Sequence, residues 1–153
     1  MKARVFIRGA TERDVAAIHS LDATLFAPQD QFSVRRYRYL LRSPHAITYV
    51  AERNGQLVGS IVALIRRSQS GRVSGRIYSI GVARAEQRRG VGARLIKRIE
   101  HELRLREVER ILLETRAASK RARSFFSMHG YQVTGDLSRY YFDDDGVKMS
   151  KSL

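Results

Sequence analysis

The chain has 153 residues, a formal net charge of +14 and an apolar content of 43%. This length suits a single domain over residues 1–153, with a core at about 4–150. The absence of cysteine excludes disulfides, thiolate zinc sites and a covalent cysteine intermediate. No stretch approaches the ~20 apolar residues of a membrane-spanning helix, so we expect a cytoplasmic protein without membrane association.

The excess of positive charge favours polyanionic partners and the steering of anionic ligands. Nucleic acid, the ribosome and a polyphosphate cofactor all fit this charge. The alternative is that most of the 29 Lys and Arg residues only cover solvated faces. Composition does not decide between these two interpretations.

The first half of the chain predicts two helices and a strand meander. Thr11 and Asp14 have the spacing of a helix start, and apolar residues recur at helical spacing as far as Leu25. A second helix is predicted over 33–42. Asn54-Gly55 is a strong hairpin signal between two strand-like runs. Strands are predicted over residues 3–8, 46–53, 56–67 and 76–83.

The second half begins with a long amphipathic helix, predicted over 87–106. Another helix is predicted over 119–128, with Gly130 as its C-cap. Residues 143–146 are predicted to form a turn. Further strands are predicted over residues 109–115, 131–133 and 138–142, with an edge strand over 147–152.

The segment from Ile80 to Leu95 predicts an anion site, because a strand enters a glycine-containing turn that opens a helix. The first turn of a helix has unpaired N–H groups and a partial positive charge. Gly90 and Gly92 lack Cβ atoms and let a diphosphate approach the backbone. Arg88, Arg89 and Arg94 add positive charge. The alternative is a flexible turn, although glycine inside a helix costs about 1 kcal/mol relative to alanine.

Two common phosphate motifs do not fit this segment. A P-loop needs a Gly-Lys-Ser/Thr ending, which is absent. A dinucleotide fingerprint needs Gly or Ala where Leu95 stands, and an early parallel strand-helix-strand unit where a hairpin meander stands here. The sequence therefore indicates a different phosphate ligand.

The motif Gln87-Arg88-Arg89-Gly90-Val91-Gly92 resembles the Gln/Arg-x-x-Gly-x-Gly/Ala signature of the GCN5-related N-acetyltransferase (GNAT) family. The predicted order of elements is also that family's order, over about residues 4–150. Four downstream segments resemble the bacterial ribosomal-protein alanine N-acetyltransferase branch of the family: Leu113-Glu-Thr-Arg116, Phe125-Phe126, Gly130-Tyr131 and Tyr140-Tyr141.

The resemblance implies a mixed α/β fold, with a splayed sheet of six to seven strands flanked by about four helices. It also implies acetyl-CoA as cosubstrate and no metal. The pantetheine arm would pair along the strand that ends at Val82, whose N–H would polarise the thioester carbonyl. The implied cofactor-binding residues are Ile80, Gly81, Val82, Gln87, Arg88, Arg89, Gly90, Val91, Gly92, Ala93, Ser119 and Phe126.

Without cysteine, the reaction is a direct attack of an amine on the thioester. An α-amine with a pKa near 8 is neutral more often at pH 7 than a lysine near 10.4. Glu114 matches the family's general base. The family's general-acid Tyr falls at Phe126 and its Asn falls at Ser119, so the identity of any general acid stays open among Tyr131, Tyr140 and His129.

The resemblance leaves the acceptor open. Tyr140 and Tyr141 are candidate walls of the acceptor site, with ordinary strand aromatics as the alternative. The leading hypothesis is acetylation of a protein N-terminus, with ribosome association, by a monomer or homodimer. The alternatives are a small-molecule amine acceptor, a catalytically weak acetyl-CoA-binding module, and a basic ribosome- or RNA-binding protein without a recognisable RNA-binding motif.

Overall fold

The computed structural model of the protein describes residues 4–141 and 143–153. Over these residues the strands are β1 (Phe6–Gly9), β2 (Ala46–Arg53), β3 (Gln56–Arg67), β4 (Val73–Val82), β5 (Arg110–Arg116), β6 (Gln132–Tyr141) and β7 (Asp144–Ser152). The helices are α1 (Val15–Leu25), α2 (Val34–Arg42), α3 (Val91–Leu105) and α4 (Lys120–Met128). The strand order in the sheet is β1-β2-β3-β4-β5-β7-β6. The predicted mixed α/β class is confirmed.

Two predicted strands end on residues outside the described part of the chain. The strand predicted over 3–8 begins at Ala3, and the strand predicted over 138–142 ends at Phe142. No helix within residues 4–141 and 143–153 has the length and apolar character needed to cross a membrane.

The chain forms two compact units. The first contains residues 4–64 and 78–102, and the second contains 65–77 and 103–153. The expectation of a single domain stays a prediction.

The first unit contains an antiparallel meander and helices α1 and α2. β1 pairs with β2, and β2 pairs with β3. The predicted hairpin is confirmed, because Asn54 and Gly55 have φ values of 53° and 73°, as its tight turn requires. One buried cluster joins the helices to the meander, and it consists of Val15, Ile18, Tyr37, Leu40, Val50 and Val62.

Both predicted helix starts in this unit are capped. The Thr11 N–H donates to Asp14 Oδ2 at 2.8 Å, and a short 3₁₀ turn leads into α1. The Arg36 N–H donates to Ser33 Oγ at 3.0 Å at the start of α2. These side chains satisfy N–H groups that have no acceptor inside the helix, which fixes where each helix begins.

The second unit differs from two of the sequence predictions. Residues 131–133 and 138–142 were predicted as separate strands, but one irregular strand, β6, covers Gln132–Tyr141. β7 was predicted at the edge, but it lies between β5 and β6 and pairs antiparallel with both. Burial explains this position, because Val147 and Met149 of β7 are buried whereas most of β6 is exposed.

The first unit buries a carboxyl group. Asp22 on α1 is 2% exposed, and its Oδ2 accepts a hydrogen bond from Tyr37 Oη on α2. Its Oδ1 is buried and has no hydrogen-bond partner. Burial raises the pKa of Asp22 and outweighs Tyr37 and His19, which lower it. The pKa of Asp22 is therefore higher in the folded protein than in the unfolded chain. Ionisation of Asp22 then lowers the free energy of unfolding as the pH rises.

We predict that Asp22→Asn stabilises the protein by an amount that grows with pH. The asparagine keeps an oxygen acceptor for Tyr37 and cannot ionise. In the wild type, protonated Asp22 contributes fully to the free energy of unfolding only below the pKa of the unfolded state, which is about 4. This contribution is lost as the pH rises. Thermal unfolding of both proteins at about pH 4 and about pH 7 measures the effect. A difference in midpoint that is the same at both pH values would contradict the prediction.

Candidate active site

The C-terminal end of β4 is held by a close approach and two hydrogen bonds. Gly81 is buried, and a Cβ atom on it would lie 3.1 Å from Leu25 Cδ1. The Ala83 N–H donates to the Val58 carbonyl at 2.8 Å. The Gln87 side-chain amide donates to the Val82 carbonyl at 2.9 Å. The backbone of residues 80–82, the predicted thioester end of the site, is therefore fixed on both sides of the chain.

The loop after β4 is anchored before it turns. Residues Arg84–Glu86 form a 3₁₀ turn, and the Arg84 guanidinium donates to the Thr24 carbonyl at 3.0 Å. Glu86 is buried and accepts two hydrogen bonds from Arg53, at 3.1 and 3.0 Å. This bidentate pair neutralises the carboxylate that lies nearest in sequence to the predicted anion site.

α3 begins at Val91, four residues later than the sequence predicted. The reason is backbone conformation, because Arg88 and Gly90 have φ values of 65° and 86°, which a right-handed helix cannot accommodate. Gly90 is therefore the residue before the helix and is not inside it. A positive φ favours glycine, and a Cβ atom at Gly90 would meet nothing within 4 Å.

The first turn of α3 presents backbone donors. The Gly90 carbonyl accepts the first helical hydrogen bond, from the Arg94 N–H at 3.1 Å. The N–H groups of Val91, Gly92 and Ala93 precede that bond, so they have no acceptor within the helix. The first turn contains no acidic residue. The arrangement can bind an anion such as a diphosphate.

The arginines near this turn have different roles. Arg88 and Arg89 are exposed in the turn itself and add positive charge beside the backbone donors. Arg94 was expected to do the same, but its guanidinium donates to the Val5 carbonyl oxygen. That contact directs the Arg94 side chain to the N-terminal segment and not to the anion site.

Glu114 lies on β5 in the second unit, opposite Lys148 of β7. Its side chain is 18% exposed, and Oε2 accepts a hydrogen bond from Arg76 Nε at 2.8 Å. A second nitrogen of Arg76 donates to Tyr140 Oη at 3.0 Å. Burial lowers the pKa of Arg76, but the charge of Glu114 and the hydrogen bonds raise it above its ordinary value. Arg76 is thus a permanent cation that links Glu114 to Tyr140.

Sequence reasoning did not identify Arg76. The available signal was that Arg76 is a charged residue within a predicted strand. Nothing in the sequence connected Arg76 to Glu114. The link arises because β4 and β5 pair in parallel, with Arg76 opposite Leu112. Glu114 lies two residues beyond Leu112, on the same face of β5.

Ser119 and Phe126 belong to α4. Ser119 is the N-cap, and its Oγ accepts a hydrogen bond from the Ala122 N–H at 3.3 Å. Phe126 is 6% exposed and packs edge-on against Tyr131, with ring centroids 5.7 Å apart. Their predicted contact with the cofactor stays a prediction.

The three candidates for a general acid have different surroundings. Tyr131 is buried against Phe126, and His129 packs against Phe125 with centroids 4.8 Å apart. Tyr140 is 45% exposed and shares Arg76 with Glu114. Of the three, the hydroxyl of Tyr140 has the clearest connection to the predicted base.

Tyr140 and Tyr141 close β6 with their rings edge-on and 5.0 Å apart. The Arg116 guanidinium lies over the Tyr141 ring at 4.5 Å and pairs with Asp143 at 2.6 Å. Asp145 Oδ1 accepts a hydrogen bond from the Arg139 N–H at 2.7 Å. Asp143 and Asp145 are therefore engaged within the β6–β7 hairpin. The turn predicted over 143–146 is wrong at 144–146, because β7 begins at Asp144. Among the described residues, no group of three or more His, Asp or Glu side chains is arranged to hold a metal ion.

Comparison with known proteins identifies the family. The family model described as "Acetyltransferase (GNAT) family" matches residues 14–131. The N-terminal acetyltransferase A complex catalytic subunit NAA10 of Arabidopsis thaliana is 28% identical over 97% of this chain and 78% of its own length. The N-alpha-acetyltransferase RimI of Mycobacterium tuberculosis is 28% identical over 90% of this chain and 84% of its own length.

A solved structure shares the fold. The ribosomal-protein-S18-alanine N-acetyltransferase from Escherichia coli superposes with a TM-score of 0.80 at 19% identity, over 97% of this chain and 94% of that one. The resemblance inferred from the motif around Gly90 is confirmed. The chain belongs to the acetyltransferase (GNAT) family and is an acetyl-CoA-dependent N-acetyltransferase.

Proposed function

We propose that this enzyme transfers the acetyl group of acetyl-CoA to the N-terminal α-amine of a protein, such as a ribosomal protein. The observation that carries the proposal is the similarity, over at least 90% of this chain, to two proteins named as N-terminal or N-alpha acetyltransferases. The name of the Escherichia coli structure adds a ribosomal protein as the acceptor class.

In this proposal the diphosphate of acetyl-CoA lies on the backbone N–H groups from Gln87 to Ala93. The donors at the start of α3 and the exposed Arg88 and Arg89 support this placement. Gln87 contributes through its backbone, because its side-chain amide already donates to the Val82 carbonyl. The adjacent carboxylate of Glu86 does not repel the phosphates, since Arg53 neutralises it.

The pantetheine arm and the thioester occupy the end of β4, at Ile80, Gly81 and Val82. The Val82 N–H donates to the thioester oxygen, which becomes negative as the amine attacks. Oxyanion donors of this kind contribute about 3 kcal/mol to the stability of the transition state. The hydrogen bonds around residues 80–82 support the role, because a donor that is held in place needs no reorganisation during the reaction.

The amine nitrogen attacks the thioester carbon, the carbon–sulfur bond breaks, and CoA leaves as a thiolate. Glu114 takes the proton that the amine loses, directly or through water. Because a thiol has a pKa near 8.5, the thiolate is a tolerable leaving group at pH 7. Loss of the tyrosine that Phe126 replaces therefore slows the reaction and does not abolish it. In this proposal Ser119 and Phe126 contact the cofactor without exchanging protons.

Tyr140 and Tyr141 form a wall of the acceptor site in this proposal. The exposed edge of Tyr140 supports a role in contacting a peptide, and its hydroxyl contacts Arg76. Arg76 acts as a positioning residue, since one planar guanidinium donates to both Glu114 and Tyr140.

We also propose that this enzyme is cytoplasmic, associates with the ribosome and acts as a monomer or homodimer. The net charge of +14 supports an interaction with ribosomal RNA.

The acceptor class is tested by thiol release from acetyl-CoA with matched substrates. The panel pairs peptides with a free N-terminus with the same peptides blocked at the N-terminus but containing lysine, and adds small amines such as polyamines. We expect release with free N-termini alone. Release with small amines and not with peptides would assign the acceptor to small molecules and overturn the proposal.

We predict that Gly90→Glu weakens acetyl-CoA binding at least tenfold, because it places a carboxylate beside the phosphates and strains a backbone with φ of 86°. Gly71→Glu is a matched control, since Gly71 also has φ of 86° and nothing within 4 Å. Calorimetric titration measures both variants. Equal acetyl-CoA affinity of the two variants would contradict the proposed phosphate site.

We predict that Glu114→Gln lowers kcat by about 10²–10⁴-fold, the usual contribution of a general base. The affinity for acetyl-CoA should be unchanged. Glu109→Gln, an exposed residue just before the same strand, is the control for the loss of one negative charge. Undiminished turnover of Glu114→Gln would remove Glu114 from the mechanism.

We predict that Arg76→Gln lowers kcat by less than Glu114→Gln, and that combining the two changes adds nothing to the loss in Glu114→Gln. If Arg76 acts by positioning Glu114, its removal has no effect once the base is absent. Steady-state kinetics of the three variants provide the test. Fully multiplicative losses in the double variant would show that Arg76 acts independently of Glu114.

A further inference from the structure

The exposed face of α2 carries three arginines around a tyrosine. Arg35, Arg38, Tyr39 and Arg42 are spaced by three or four residues, so they lie along one face of the helix. All four are exposed, and Tyr39 is 63% exposed. We call these four residues the α2 stripe. α2 itself contains no acidic residue.

The stripe is not needed to hold the helix in place. The opposite face buries Tyr37 and Leu40 in the core cluster of the first unit. Within the stripe, Arg42 pairs with Glu12 at 2.5 Å, but both side chains are more than half exposed. A surface ion pair of this kind contributes little stability and is readily exchanged for another anion.

A neighbouring arginine extends the basic surface and keeps it rigid. Arg36 donates to Tyr78 Oη at 2.7 Å, and its guanidinium also lies over the Tyr39 ring at 5.8 Å. Phe32 stacks on the Tyr78 ring, with ring centroids 4.8 Å apart. The position of the Tyr39 ring is thereby supported while most of its area stays exposed.

We propose that the α2 stripe is a docking surface for single-stranded RNA. Three guanidinium groups on one helix face offer several contacts to the phosphates of one strand, and Arg binds phosphate well. An exposed aromatic ring among cations offers a stacking surface for an unpaired base, which double-stranded nucleic acid does not present. The net charge of +14 adds long-range attraction for the same partner.

An anionic membrane would also attract these arginines, but the stripe lacks the apolar residues that a surface helix inserts among lipids. The apolar residues of α2 face the core. None of the four stripe residues belongs to the proposed acetyl-transfer site. The RNA-docking proposal and the acetyl-transfer proposal are therefore tested independently.

The test uses the full chain and a fluorescently labelled single-stranded RNA, with binding measured by anisotropy over a series of salt concentrations. One variant changes Arg35, Arg38 and Arg42 to Gln. The matched control removes the same charge elsewhere, by changing the exposed residues Arg66, Lys97 and Arg104 to Gln. Thermal unfolding midpoints show whether each variant is folded.

We expect the stripe variant to bind RNA more weakly and with a shallower dependence on salt. Each lost phosphate contact reduces the slope of log K against log salt by about 0.7, so three contacts reduce it by about 2. The control variant should keep a slope close to that of the wild type. Equal losses in both variants would show a general charge effect and overturn the assignment to α2.

Tyr39 is tested separately. Tyr39→Ala should weaken RNA binding about tenfold with an unchanged salt slope, because stacking releases no counterions. Tyr39→Phe should keep the wild-type affinity. Undiminished binding by Tyr39→Ala would overturn the base-stacking role.

Anionic phospholipid vesicles provide the competing partner in a sedimentation assay. We expect the stripe variant and the control variant to behave alike with vesicles. Loss of vesicle binding in the stripe variant, with RNA binding unchanged, would assign the surface to membranes and overturn the proposal. Absence of RNA binding by the wild type at low salt would also overturn it, whatever the acetyl-transfer assay shows.

Discussion

The left-handed backbone of Gly90 determines what the start of α3 can do. Because φ is 86° there, the chain turns sharply and the helix begins at the next residue. The N–H groups of Val91, Gly92 and Ala93 then have no acceptor within the helix. Their combined partial charge, with Arg88 and Arg89 nearby, gives the segment the properties of an anion site, which the proposed function assigns to the diphosphate.

The surroundings of this turn maintain its geometry. The Arg53–Glu86 pair anchors the loop on one side, and the Gln87 side chain ties it to the last carbonyl of β4. Gly81 lets α1 approach the end of the strand to a distance that a Cβ atom would obstruct. In the proposed mechanism, phosphate binding and polarisation of the thioester therefore depend on the same few contacts. In the second unit, Arg76 gives Glu114 a defined orientation through one planar group.

Local patterns predicted most of the fold. The strands at 46–53 and 56–67 have the predicted bounds, since the alternating residues and the Asn54-Gly55 turn are local signals. The helical starts at Thr11 and Ser33 follow from side-chain capping, which is also local. The family motif predicted the phosphate segment from glycines and arginines that are close in sequence, and that assignment stays a prediction.

The predictions that failed depend on contacts between distant residues. The start of α3 is an exception, because it depends on the positive φ values of Arg88 and Gly90, which the sequence pattern did not reveal. The position of β7 between β5 and β6 agrees with the burial of its apolar residues, but the strands that it pairs with are not evident from those residues. The roles of Arg94 and Arg76 depend on partners 89 and 38 residues away in sequence. These interactions are determined by topology, which local sequence patterns do not reveal.

The proposed mechanism depends most directly on phosphate binding at the start of α3. The decisive measurement is a calorimetric titration of the wild type with acetyl-CoA, acetyl-4′-phosphopantetheine and acetyl-pantetheine, which share the thioester and lose phosphates in steps. The proposed mechanism predicts that affinity falls from each ligand of this series to the next, with a clear loss when the final phosphate is removed. Equal affinity for acetyl-4′-phosphopantetheine and acetyl-pantetheine, both close to that for acetyl-CoA, would contradict it.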